Sequence, residues 1–119
     1  MQKFVNVRYL ASAAIVVEDG ASQVLCDPWL VDGAYYGSWC HYPPLEVEPE
    51  DFDHVDYIYI SHVHPDHFDK RTLRRMDSDI PILIHDYAWS YLRDEIEELG
   101  FEAIELPHEP LEWGKVPVN

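Results

Sequence analysis

Ser61-His62-Val63-His64-Pro65-Asp66-His67-Phe68-Asp69 follows directly on the strand-like run Val55-Asp56-Tyr57-Ile58-Tyr59-Ile60. Three histidines and an aspartate fall within six positions of this 119-residue chain, which holds seven histidines in all. Histidine is the commonest metal ligand, and neutral imidazole suits zinc, iron, nickel or copper. His62 and His64 stand two apart, so in extended backbone they point to the same side and two nitrogens can reach one ion. Pro65 cannot continue a ladder, so the chain must turn there. That turn can swing Asp66 and His67 toward a second ion beside the first. A polar loop that merely holds histidines is the plainer alternative, and it suits an isolated histidine better than this cluster.

The pattern His-x-His-x-Asp-His after an apolar strand resembles the metallo-β-lactamase superfamily, with all four motif positions present. Val24-Leu25-Cys26-Asp27-Pro28-Trp29-Leu30 looks like the strand-ending Asp-Pro-Trp-Leu of one branch of that superfamily. This branch holds hydroxylase-like and lactonase-like members, CMP-N-acetylneuraminate hydroxylase among them. The resemblance runs over residues 4 to 118 and covers only the first half of the family's fold. It implies an α/β fold, the αββα sandwich, with residues 1–119 as a single partial domain: a mostly antiparallel or mixed sheet with flanking helices.

The resemblance also implies roles. His62, His64, Asp66 and His67 would be metal ligands, with Asp66 the catalytic carboxylate that binds the second ion and orients water or shuttles its proton. Asp27 and Ser61 would support them from behind. A carboxylate at a strand end can orient a ligand histidine through its free ring nitrogen; the alternative for Asp27 is a turn aspartate capping its own backbone. The family's second half supplies a further histidine, a bridging aspartate and a final histidine, and Asn119 falls about where that half would begin. A catalytic zinc takes three protein ligands and a water, so His62 and His64 need help. His85 and His108 are the extra ligand candidates within the chain. A missing C-terminal half or a homodimer that mimics the two halves are the others, since a halved sandwich exposes an apolar face.

The implied activity is metal-dependent hydrolysis, with a metal-activated hydroxide attacking an ester, lactone, amide or phosphoester, in this chain or in a larger enzyme of which it is the metal-binding half. The expected cofactor is one or two Zn2+ ions, with Fe or Mn as alternatives. A di-iron or oxygenase-associated hydroxylase-like domain is a second reading. The chain lacks the paired Cys-x-His and Cys-x-x-His of a Rieske cluster, so it would need another domain for that. A non-catalytic metal-binding or dimerisation module is a third. The substrate is expected to be a small molecule.

Net charge is −15, with 23 acidic residues against 8 basic ones. That argues against nucleic acid, whose phosphates demand Lys and Arg, and against an anionic membrane surface. An apolar share of 47% supports a real core. No signal peptide or membrane-length apolar run is visible, so a cytoplasmic location is expected. Cys26 and Cys40 form no Cys-x-x-Cys pair. Cys26 reads as a small buried hydrophobe; a disulfide between the two stays open, as does a metal role for Cys40 and His41.

Along the chain, residues 3–10 and Ala13–Val17 read as strands. Asp19-Gly20 turns the second into a third at Gln23–Cys26. Residues 28–52 form a long connection rich in Trp, Tyr and Pro, either a substrate wall or a packed lid. Glu46 to Asp53 carries five acidic residues and reads as a solvated face, with His54 structural. Val55–Ile60 is the fourth strand. Asp69 caps a short basic helix, Lys70–Met76; its Lys70, Arg71, Arg74 and Arg75 either meet an anionic substrate or balance local acidity. Ile80–Ile84 is a buried strand. Tyr87–Leu99 reads as an amphipathic helix with Trp89, Leu92, Ile96 and Leu99 inward, stopped by Gly100. Phe101–Leu106 is a further strand, and a turn at Pro107-His108 leads to a hairpin over 111–116.

Overall fold

A computed structural model describes residues 4–107. Six strands lie side by side in the order in which they occur: β1 (Asn6–Ala11), β2 (Ala14–Glu18), β3 (Gln23–Cys26), β4 (Tyr57–Tyr59), β5 (Ile82–His85) and β6 (Ala103–Leu106). The first two pairings are antiparallel and the last three parallel. Tight turns suffice for the antiparallel pairs, whereas parallel neighbours need crossovers. The turn from β2 to β3 is closed by Asp19, whose Oδ1 accepts from the Ala21 and Ser22 amides. Helix α1 (Lys70–Arg74) carries β4 to β5, and helix α2 (Tyr91–Glu98) carries β5 to β6. The long connection from β3 to β4 holds a short 3-10 turn at Pro49–Phe52.

Strand alternation sorts the sheet into two faces. One face sends Val16, Leu25, Ile58, Ile82 and Ala103 into a core shared with Leu73 and Met76 from the α1 segment and Leu92 and Ile96 from α2. On the other face the registers align Tyr9, Ile15, Cys26, Tyr59, Leu83 and Ile104 in one row across all six strands. This row is apolar or aromatic throughout; it is exposed at Tyr9, half-buried in the middle, and buried at Leu83 and Ile104.

Asp69 does cap α1, accepting from the Arg71 amide. Its other oxygen accepts from the Thr72 hydroxyl at 2.6 Å, and the Thr72 oxygen accepts from the Leu30 amide at 3.0 Å. Asp69 and Thr72 are both buried. This relay ties the start of the long connection to the helix after the histidine loop. Arg71 reinforces it by donating to the Asp32 carbonyl at 2.7 Å. Gly33 sits at φ +97, and a Cβ there would lie 2.9 Å from the Arg71 guanidinium.

Two expectations need correction, and one open point is settled. The second helix starts at Tyr91, not Tyr87, and Trp89 is 83% exposed rather than inward-facing. The Tyr87 amide turns back to the His85 carbonyl and its hydroxyl donates to the Ser61 carbonyl, so this segment is held to the neighbouring loop. Helical bonding begins only when Asp94 donates to the Ser90 carbonyl. The acidic stretch at 46–53 is more than a solvated face: Pro49 and Phe52 are buried, and Glu48 and Glu50 both clasp Arg75. The two cysteines are free thiols, not a disulfide. Burial, then the nearby Asp27 carboxylate, pushes the Cys26 thiol up to about 11. The turn at Pro107-His108 and the hairpin at 111–116 lie outside the described residues.

Two stability outcomes follow from this packing. Ile58 is fully buried in the central parallel strand, so Ile58→Ala should cost about 2–5 kcal/mol in urea unfolding. Thr72→Val keeps the shape but strands the Leu30 amide and one Asp69 oxygen, and should cost about 1–3 kcal/mol by the same measurement.

Candidate metal centre

The parallel ladder brings the ends of β3 and β4 together. The Asp27 amide donates to the Tyr59 carbonyl at 2.8 Å, and the Ile60 amide to the Leu83 carbonyl at 3.1 Å. Asp27 and Ser61 therefore leave the sheet side by side. Asp27 takes φ +45, a left-handed conformation that aspartate tolerates better than most residues. That bend aims its carboxylate across the strand gap. Oδ1 accepts from the Ser61 amide at 2.7 Å and Oδ2 from the Ser61 hydroxyl at 2.8 Å. Asp27 is only 8% exposed.

The histidines assemble on this clasp. Ser61 Oγ lies 2.8 Å from His62 Nδ1, which leaves Nε2 of that ring directed elsewhere. The His62 ring centroid is 4.0 Å from His67 and 4.7 Å from His64. Beyond Pro65 the chain turns, with the His67 and Phe68 amides both donating to the His64 carbonyl. The turn carries His67 back beneath His62, and Phe68 is buried in the core. His67 Nε2 is 3.4 Å from Asp66 Oδ2, and Nδ1 is 3.1 Å from Asp27 Oδ2. His67 Nδ1 is buried and makes no hydrogen bond despite the carboxylate beside it.

Burial, followed by the neighbouring His67 and His64 rings, holds His62 below the usual imidazole range, with Asp27 and Asp66 opposing in part. The neutral ring is the form that keeps a lone pair for a metal. Three imidazoles with two carboxylates make the nitrogen and oxygen donor set that zinc or iron takes. Among the described residues, however, no three His, Cys, Asp or Glu donors are already gathered into a metal-holding group. His67 faces a carboxylate at each nitrogen instead. The residues suit a metal in their chemistry; the common focus is not preformed.

Tyr35 is the contact that sequence reading missed. Its hydroxyl donates to Asp66 Oδ1 at 2.9 Å, reaching across from the long aromatic connection. Burial and this bond raise the Tyr35 hydroxyl's pKa. Tyr35 and Tyr36 both take positive φ between Gly33 and Gly37, and the bridge between Ala34 and Trp39 closes the bend. The Gly-x-x-x-Gly spacing signals the bend, but nothing local tells which tyrosine reaches Asp66.

His85 does end its strand, as expected, and lies beside the Tyr59 hydroxyl and the Tyr87 ring rather than against the three clustered imidazoles. His41 is buried against Trp29, ring to ring at 3.9 Å, while Cys40 is exposed. His54 is exposed near Phe52. His108 lies outside the described residues. The cations of the α1 segment are largely engaged: Lys70 with Glu95, Arg71 with Asp69 and Arg75 with Glu48 and Glu50. Among the described residues, no helix is long and apolar enough to cross a membrane.

The beta-lactamase superfamily domain family matches residues 22–118. A Mycolicibacterium smegmatis protein with the provisional name Rieske 2Fe-2S iron-sulfur protein is 41% identical over 98 residues, which is 81% of this chain and 19% of that protein. Cytidine monophosphate-N-acetylneuraminic acid hydroxylase of Cricetulus griseus is 36% identical over 87 residues, 69% of this chain and 15% of the enzyme. The chain thus spans under a fifth of the length of these relatives. Two solved structures share the fold. Isothiocyanate hydrolase from Delia radicum gut bacteria has a TM-score of 0.68 at 23% identity, over 94% of this chain and 44% of that one. A possible metal-dependent hydrolase from Veillonella parvula has a TM-score of 0.67 at 21% identity, over 96% and 45%. With the histidine loop at the end of β4 and Asp-Pro-Trp-Leu at the end of β3, the chain belongs to the metallo-β-lactamase superfamily.

Proposed function

We propose that the chain is the metal-binding half of a metal-dependent hydrolase, with His62, His64, Asp66 and His67 as ligands. The observation that carries this reading is the clustering of three imidazoles from one loop, with His62 on Ser61 and His67 beside Asp27 at a buried support and His64 against the His62 ring. A bound divalent ion supplies Lewis acidity and a strong nucleophile at neutral pH. The side chains do the rest. Ser61 fixes the His62 ring through Nδ1 and so presents Nε2. Tyr35 holds Asp66 by Oδ1, and Asp66 Oδ2, 3.4 Å from His67 Nε2, would bind the ion or take a proton. Asp27 holds the loop in place and puts negative charge beside His67.

The same reading gives the apolar row from Tyr9 to Ile104 a purpose. A two-sheet sandwich buries one face of each sheet against the other, and this row has the composition of such an inner face. Its partner would be a second half of the domain or a second copy of this chain, and the substrate a small molecule.

A second reading is favoured by the iron-sulfur and hydroxylase names of relatives at 36–41% identity. In it the chain is one domain of an oxygen-using hydroxylase. Its only cysteines, Cys26 and Cys40, cannot build a Rieske cluster, so the cluster would sit on another domain. Zinc in the purified protein favours the hydrolase; iron with a visible absorption band favours the hydroxylase.

Elemental analysis with solution mass is the deciding experiment. About one or two metals per chain are expected in the native protein, and His64→Ala should lose them; unchanged metal content in the variant would remove His64 from the ligand set. Asp27→Asn keeps the size of the side chain but removes its charge. It should weaken metal affinity about 10–100-fold in a chelator competition, with the far-ultraviolet circular dichroism unchanged.

A further inference from the structure

Beside His62 lies a hollow of about 200 Å³ lined by Val63, Tyr87, Trp89, Tyr91 and Leu92. Apart from His62 and two tyrosines, no ionisable side chain lines it. Trp89 stands 83% exposed on its rim, and Tyr91 and Val63 are exposed as well. Large apolar side chains left in water next to a reactive cluster mark a binding surface. The hollow is not loose: the Tyr87 hydroxyl is bonded to the Ser61 carbonyl, and Leu92 is anchored in the core. An apolar cavity on the order of 150 Å³ accepts one benzene ring, so this hollow has room for one ring with a short substituent. Aromatic walls favour an aromatic guest through edge and offset contacts. On the far side of Val63 and Tyr91, a larger hollow of about 550 Å³ includes Lys70 and Arg71. The two differ in kind, and only the smaller one is free of formal charge.

We propose that the hollow formed by Val63, Tyr87, Trp89, Tyr91 and Leu92 binds a neutral aryl group of the substrate and so places the adjoining scissile bond against the histidine loop. The catalytic meaning of this subsite rests on the hydrolase reading above; ring binding itself does not.

The test is a titration of the isotope-labelled full chain with p-cresol, followed by NMR. Saturable shifts are expected at the Trp89 indole N–H and at the Val63 and Leu92 methyl groups. Trp89→Ala should weaken binding about tenfold, and Trp89→Phe should restore most of it. Trp89 is so exposed that neither change should disturb folding, and metal content should match the native protein. Absence of saturable shifts, or binding that Trp89→Ala leaves unchanged, would overturn the proposal. If p-cresol binds as expected while the protein holds no metal, the subsite stands and the metal-centre reading falls.

Discussion

The clasp between Asp27 and Ser61 is the constraint on which the candidate site depends. It joins the ends of two parallel strands whose sequence positions lie 34 residues apart. A buried carboxylate needs donors, and here both of its oxygens find them on one residue. The left-handed backbone at Asp27 is what turns the carboxylate toward Ser61 instead of letting the strand run on. His62 then inherits its orientation from the Ser61 hydroxyl, and His67 packs against the His62 ring and lies beside the Asp27 carboxylate.

A second set of contacts locks the long connection onto the same region. The Leu30–Thr72–Asp69 relay fixes its start, Arg71 holds the Asp32 carbonyl, and Tyr35 reaches Asp66. The relay and the Tyr35 bond come from buried or half-buried groups, where an unmade bond is costly. The acid–base pairs on α1 are of another kind. Lys70, Arg71 and Arg75 sit near the surface and are committed to nearby acids, which fits local charge balance in a chain of net charge −15.

Much of the fold was legible because its signals are local. Gln23–Cys26 was readable as a strand from its apolar run and the Asp-Pro that ends it, and the Asp19-Gly20 turn from its own chemistry. The Asp69 cap and the Gly100 stop are likewise written into adjacent residues. Trp89 shows where such reading fails. Its spacing from Leu92 and Ile96 fits a helical face, yet the tie between Tyr87 and Ser61 delays the helix and leaves the indole outside. Periodicity reports what a segment does if it is helical; it does not report where the helix begins.

The sequence by itself determined the strand-then-loop unit, the residue types in it and the superfamily, because all of these reside in short contiguous motifs. Only the tertiary structure decided which distant residues stand behind the histidine loop. It put Asp27 on Ser61, Tyr35 on Asp66 and the Trp89 segment beside His62, and it left His85 with Tyr59. Those pairings depend on parallel strand register and on crossovers between non-adjacent segments, and no local spacing encodes either.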